Sequence, residues 1–148
     1  MYICNYFAPA ELVAETTIRA LEKRGLDDSF VYALMDSRLL RLLDYLRSVY
    51  GAAIVNNWSA GGARTESGLR IPGMSNYSEF SQHSYGRAAD VLFMNVTAEE
   101  IRYNFADGVH DGFLISNQIM VTLENGVSWL HADVRNAYQF VNFFDSAN

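Results

Sequence analysis

The spacing of apolar residues changes at Gly51, and this change restricts the chain to few architectures. Before Gly51, apolar residues recur at helical spacing, which predicts helices over about residues 8–24 and 37–50. After it, short apolar runs alternate with turn-forming residues, and Asn125-Gly126 is a strong hairpin signal. Helices followed by hairpin-linked strands favour an α+β fold, in which helices flank a small antiparallel sheet.

Local signals define the individual elements. Pro9 suits the start of the first helix, and Gly25 suits its end. Thr97 and Glu100 form a capping box that predicts a further helix. The predicted buried face of the second helix consists of Leu39, Leu42, Leu43, Leu46, Val49 and Tyr50. Strands are predicted over residues 53–58, 88–93, 113–115, 118–123 and 128–134. Residues 59–79 are predicted to form a loop, and His110 and Asp111 are predicted to lie in a surface loop.

Length and composition exclude several classes of protein. The 148 residues are enough for one domain with a real core, so we expect a single domain spanning residues 1–148 and a monomer. A net charge of -6 argues against nucleic acid as a partner, because phosphate binding needs a surplus of Lys and Arg. We also expect no signal peptide and no membrane insertion, because the first residues lack a basic segment and no apolar run approaches about 20 residues.

Two of the three histidines lie in unusual surroundings. His83 follows a polar loop, and Asp90 lies within the apolar run 88–93, where an unpaired carboxylate would be costly. His131 lies in a strand whose alternation places Asp133 and Arg135 on the same face. Imidazole and carboxylate groups brought together in this way suit zinc, although a hydrogen-bonded core histidine would produce the same pattern.

Three segments resemble one known family. Residues 81–90 contain every fixed position of the S-x-H-x-x-G-x-A-x-D motif of zinc D-alanyl-D-alanine carboxypeptidases and L-alanyl-D-glutamate endopeptidases. Residues 67–70 resemble the family's S-G-[YL]-R element, and residues 129–135 resemble its strand with the last zinc histidine. Residues 39–57 are similar to a leucine-rich helix and Asn-Asn strand of the phage-associated branch. The superfamily also includes lysostaphin-type peptidases and the hedgehog signalling domain.

The resemblance implies a fold like that of hedgehog and the D-Ala-D-Ala metallopeptidases, and it assigns roles to residues. His83, Asp90 and His131 become the ligands of one zinc ion. Arg70 becomes the catalytic cation that also binds a substrate carbonyl or carboxylate. Ser81 and Tyr85 are predicted to contact the substrate, although an aromatic residue near a turn often serves packing.

One departure from the family concerns the general base. Many members have a glutamate three residues before the last zinc histidine, where this chain has Ser128. Others have a histidine two residues before it, where this chain has Trp129. Asp133 is the best local substitute; its alternative role is to orient a ligand or to pair with Arg135.

The expected function is therefore zinc-dependent hydrolysis of an amide bond in the stem peptide of bacterial peptidoglycan, by an endopeptidase or a D,D-carboxypeptidase. The expected setting is a phage endolysin, made in the host cytoplasm and delivered to the wall by a holin-like partner, or a virion-associated protein. The alternative is an inactive zinc module that binds a cell-wall peptide or a virion partner, and the missing glutamate at Ser128 favours it.

Overall fold

A mixed five-stranded sheet and six α-helices make up the fold, as described by a computed structural model for residues 1–146. The helices are α1 (Pro9–Leu12), α2 (Glu15–Glu22), α3 (Val31–Leu34), α4 (Ser37–Tyr50), α5 (Ala98–Ala106) and α6 (Asp111–Asn117). The strands are β1 (Ala53–Ile54), β2 (Ala88–Phe93), β3 (Val121–Asn125), β4 (Leu130–Asp133) and β5 (Val141–Asp145). Short 3-10 helices cover Asp28–Phe30, Trp58–Ala60 and Gln82–Tyr85.

The strand order is β1-β2-β4-β3-β5. The first four strands in this order pair antiparallel, whereas β5 pairs parallel to β3. The α+β prediction is confirmed, but the prediction of a purely antiparallel sheet is wrong at this edge. The strand β5 was not predicted, because it pairs parallel to β3 and no tight turn joins parallel neighbours, so no local turn signal marks it.

Helix α4 forms where the leucine pattern predicts it. The Asp36 side chain accepts a hydrogen bond from the Arg38 amide at the start of the helix, and Gly51 ends it with a φ of 84°. The four predicted leucines are all buried, as is Leu40. Val49 is 48% exposed, so its predicted burial is wrong, because the stripe passes out of the core in the last turn.

The predicted first helix is in fact two helices, separated by an extended segment at Val13 and Ala14. The carbonyl groups of Glu11 and Leu12 accept hydrogen bonds from the Asn56 and Leu69 amides, at 2.9 and 3.0 Å. The carbonyl of Val13 accepts one from the Trp58 indole at 2.8 Å. These tertiary hydrogen bonds provide partners for the carbonyl groups that a continuous helix would have paired internally.

Gly68 explains why the chain can approach itself so closely there. A Cβ at Gly68 would lie 1.9 Å from the Leu12 carbonyl oxygen, so only glycine fits. The long predicted loop is thus attached to the N-terminal segment. In the part of the chain that the structure describes, residues 61–81 contain no helix, and their one β-bridge is at Leu69.

Other predicted elements agree less evenly with the structure. β2 has its predicted bounds, and the capping box at Thr97 opens α5 as expected. The strand predicted over 53–58 shrinks to β1, and the strands predicted over 118–123 and 128–134 shift or shorten to β3 and β4. The strand predicted at 113–115 is wrong, because these residues belong to α6. Its apolar run was too short to distinguish a helix from a strand.

Within residues 1–146, no helix is long and apolar enough to cross a membrane.

Candidate metal centre

The register of β2 against β4 places Asp90 directly opposite His131. Side chains of opposed residues lie on the same face of a sheet, so both groups project to one side. The alternate residues Ala89 and Ala132 face the other way and are fully buried in the core. The strand alternation that the sequence predicted for residues 129–135 therefore delivers His131 and Asp133 to the same face as Asp90.

His83 reaches this face from the 3-10 helix Gln82–Tyr85. The Ser81 side chain accepts a hydrogen bond from the His83 amide, and Gly86 ends the turn with a φ of 65°. A Cβ at Gly86 would lie 2.5 Å from the Leu34 carbonyl oxygen, so the motif glycine is required both for its φ and for space. Ser81 thus stabilises the turn that carries His83, which is a local reason for its place in the motif.

Each histidine uses one ring nitrogen for support and directs the other toward Asp90. His83 Nδ1 lies 2.8 Å from the Gly68 carbonyl oxygen, which can only accept, so Nδ1 donates there and Nε2 is the nitrogen turned toward Asp90. His83 Nε2 lies 3.4 Å from Asp90 Oδ2. His131 Nε2 lies 3.3 Å from Asp133 Oδ2, and its Nδ1 lies 2.8 Å from Asp90 Oδ1.

His83, Asp90 and His131 offer ligand atoms that all lie within 4.8 Å of one another, and these residues could hold a metal ion. The donor set fits zinc, because two imidazole nitrogens and one carboxylate match the three-ligand pattern of catalytic zinc sites. The hydrogen bonds that the two rings donate to the Gly68 carbonyl and the Asp133 carboxylate are the kind that orient histidine ligands in such sites. The metal prediction is therefore confirmed as a site that could bind an ion, compatible with zinc.

Two arginines bind the two carboxylates of this cluster. Arg70 donates to Asp90 Oδ2 at 2.9 Å and to the Glu66 carbonyl at 2.7 Å. Arg135 donates from its amide and its Nε to Asp133 Oδ1, at 3.1 and 2.8 Å. Asp133 is fully buried, whereas the Arg135 side chain is 41% exposed.

These contacts shift the acid–base properties of the cluster. Burial alone would raise the pKa of Asp90, but hydrogen bonds from His131 and His83 outweigh it and place that pKa far below its usual range. Burial alone would lower the pKa of His131, but hydrogen bonds to Asp133 and Asp90 raise that pKa to about 9. Asp133 likewise has a lowered pKa, since its bonds with His131 and Arg135 outweigh its burial.

A groove of about 390 Å³ leads to Asp90. Arg70, Glu66 and Trp129 are among the residues that line it. The predicted substrate contacts Ser81 and Tyr85 do not line this groove. Tyr85 is instead 50% exposed beside Arg87, whose guanidinium carbon lies 5.7 Å from the tyrosine ring centre.

The groove also reveals residues that the motifs did not indicate. The Glu66 carboxylate accepts hydrogen bonds from the Ser75 and Asn76 amides, at 3.2 and 2.8 Å, which fixes the loop around Arg70. Arg64 donates to the carbonyls of Val55 and Asp90, at 3.0 and 2.9 Å, and so ties the loop to β2. The glycine-rich composition predicted a loop here, but it carries no information on which of its polar side chains turn inward.

His110 does not lie in a surface loop, and that prediction is wrong. It is 1% exposed, and its ring nitrogens lie 3.0 Å from the Tyr45 hydroxyl and 2.7 Å from the Tyr50 hydroxyl. Both tyrosines come from α4, so the histidine connects that helix to the start of α6. Asp111 is exposed, but it begins α6 and is not part of a loop.

Comparison of the chain with protein-family models, with curated proteins and with solved structures finds no match.

Proposed function

We propose that this chain is a zinc-dependent peptidase that hydrolyses an amide bond in the stem peptide of bacterial peptidoglycan. The observation that carries the proposal is the convergence of His83 Nε2, the Asp90 carboxylate and His131 Nδ1 beside a groove lined by Arg70. Three protein ligands beside an open groove are typical of hydrolytic zinc sites, which keep one position for water or substrate.

The amide substrate and its bacterial origin rest on the resemblance of residues 67–70, 81–90 and 129–135 to the cell-wall peptidases. A hedgehog-like fold and a monomer belong to the same proposal, as does the setting of a phage endolysin or virion-associated protein. In that setting, a holin-like partner would give a protein made in the host cytoplasm access to the wall.

Zinc bound at this centre supplies Lewis-acid polarisation of the scissile carbonyl and activation of water. The residues of the chain provide the surroundings. Arg70 holds Asp90 in place and presents positive charge to the groove, where a substrate carbonyl oxygen would gain charge during attack. Gly68 and Asp133 fix the two histidine rings, so that one nitrogen of each remains available.

Asp133 is better placed to orient His131 than to accept a proton from water. Its carboxylate is fully buried and is bound by both Arg135 and His131, and these contacts lower its pKa. A low pKa weakens a general base, whereas an ionised carboxylate is a good acceptor for a ligand histidine.

The test is mass spectrometry of purified Gram-negative peptidoglycan after incubation with the zinc-loaded protein. We expect new amino and carboxyl termini in the stem peptides, and their loss with a chelator and in His131→Ala. The fragment masses identify the bond cut. New sugar reducing ends in place of new peptide termini would contradict the proposed reaction.

A non-catalytic zinc module is the second candidate, and specific residues favour it. Ser128 and Trp129 occupy the two positions where the related peptidases have a base, and Asp133 is fully buried. This candidate predicts stoichiometric zinc and retention on sacculi, without any new termini. The same incubation therefore separates the two functions.

A further inference from the structure

An aromatic ring that is not part of the metal cluster lies against His131. The Phe144 ring is edge-on to the His131 ring, with 5.7 Å between ring centres and an interplanar angle of 89°. Phe144 belongs to β5, the strand that runs parallel to β3 at the edge of the sheet. Edge-to-face aromatic pairs favour one ring orientation over others, so this contact limits rotation of the histidine.

Arg135 joins this ring to the carboxylate that supports His131. Its guanidinium carbon lies 5.3 Å from the Phe144 ring centre, within the range of a cation–π contact. The same guanidinium donates to Asp133, which in turn lies against His131 Nε2. Four side chains therefore form one contact network, from Phe144 through Arg135 and Asp133 to His131.

Phe143, the neighbour of Phe144 on β5, allows the effect of an aromatic residue on the other face of the same strand to be compared. Phe143 and Phe144 are consecutive residues of a strand, so their side chains point to opposite faces of the sheet. Phe143 is 40% exposed and lines a separate groove with Arg102 and Tyr103 of α5. Of these two phenylalanines, Phe144 is the one that lies on the face of the metal ligands.

We propose that Phe144 and Arg135 are positioning residues that hold His131 in the orientation and tautomer in which Nδ1 is the metal ligand, and so set the zinc affinity. The inference rests on the zinc site of the proposed function. It assigns a role to β5 and explains why Asp133 is bound on both sides: Arg135 holds its carboxylate in place, and that carboxylate accepts the Nε2–H hydrogen bond of His131. Partners that orient a ligand histidine typically change metal affinity by about 10–100-fold.

The experiment measures zinc affinity by competition with a chromophoric chelator, together with the absorption spectrum of the Co²⁺-substituted protein. We expect Phe144→Leu to weaken zinc binding about 10-fold and to alter the Co²⁺ spectrum, because the histidine ring gains freedom. Phe144→Tyr retains the edge-on ring and should restore both. Phe143→Leu on the same strand should leave both unchanged.

Arg135→Gln provides a second variant in case Phe144→Leu fails to fold, because the Arg135 side chain is partly exposed and its replacement leaves no large cavity. We expect it to weaken zinc binding by a similar factor. Equal zinc affinity in wild type, Phe144→Leu and Arg135→Gln would overturn the inference. Equal losses in Phe143→Leu and Phe144→Leu would also overturn it, since they would reflect loosening of β5 in general.

These measurements need no substrate, so the two proposals can fail separately. If the protein binds zinc with the expected ranking of variants but releases no peptide termini, the peptidase proposal fails and the positioning role stands. If wild type cleaves peptidoglycan and Phe144→Leu binds zinc normally, only the positioning role fails.

Discussion

His131 lies directly opposite Asp90 in the antiparallel register, with Nδ1 of the histidine 2.8 Å from Oδ1 of the carboxylate. A slip of one residue in either strand would turn one of the two side chains to the core face, so the register itself creates the pair. His83 completes the cluster from a turn, which the loop 61–81 holds against the sheet through Gly68.

Removal of the last ligand should abolish stoichiometric zinc. His131→Ala deletes one of three nitrogen and oxygen donors, and two ligands are too few for a stable site. The measurement is metal content of the purified protein by elemental analysis. His110→Gln is the matched control, because it also replaces a buried histidine but lies outside the cluster. Full zinc retention in His131→Ala would show that another residue is the third ligand.

Asp133→Asn separates the two roles considered for this residue. We expect zinc affinity to fall by about 10–100-fold, because an amide is a weaker partner for His131 than a carboxylate. A general base would behave differently: zinc would stay bound, and turnover would fall by about 10²–10⁴-fold. Titration of zinc beside a turnover assay distinguishes the outcomes. If neither quantity changes, the base lies elsewhere, and Glu66 in the groove is the next residue to replace.

Gly68→Ala should destabilise the protein and weaken metal binding together. The added methyl would lie 1.9 Å from the Leu12 carbonyl oxygen, so the backbone that supports His83 must move. Overpacking of this kind typically costs about 1–3 kcal/mol in the free energy of unfolding. Gly112→Ala is the control, since nothing lies within 4 Å of that position in α6. Chemical denaturation measures the stability of the two variants, and zinc titration measures their metal binding. Equal stability of the two variants would contradict the close approach at Gly68.

His110 should make the fold sensitive to acid. Burial, the largest cause, lowers the pKa of His110 from its ordinary value of 6.5, and Asp111 offsets this only in part. The unfolded chain therefore binds more protons than the folded one, so stability falls as the pH drops below about 6.5 toward the lowered pKa. Well above 6.5 both states are neutral at this residue, and it then contributes no pH dependence.

The check is denaturation of wild type and His110→Gln between pH 7.5 and 5. Glutamine retains hydrogen-bonding groups near Tyr45 and Tyr50 but does not titrate in this range. We expect the stability of the variant to vary less steeply with pH, although it starts lower. A parallel decline in both proteins would assign the acid sensitivity to other groups.

Sequence patterns predicted those parts of the fold whose signals are local. The leucine stripe, Asp36 and Gly51 together identify α4, and the capping box at Thr97 identifies α5, because neighbouring residues define each of these elements. The metal cluster was predicted from the resemblance of residues 81–90 and 129–135 to the zinc peptidases, because the turn and the strand alternation alone also fit a hydrogen-bonded core histidine.

The remaining features depend on contacts between distant residues. Nothing local interrupts a helix at Val13 and Ala14, because the groups that replace its hydrogen bonds come from Asn56, Trp58 and Leu69. The burial of His110 depends on two tyrosines of α4, and β5 depends on pairing with β3, from which β4 separates it along the chain. Periodicity within a short window cannot report such partners.

The break between α1 and α2 also has a kinetic consequence. Its carbonyl groups bind residues far along the chain, and closing such large loops costs entropy before any contact is gained. The Gly68 carbonyl that supports His83 immediately precedes the Leu69 amide that binds Leu12, so docking of the Leu12 segment helps to hold that carbonyl in place. The N-terminal segment pairs with residues about 45 to 57 positions further along the chain, so we expect the histidine–aspartate cluster to be completed late in folding and not to nucleate it.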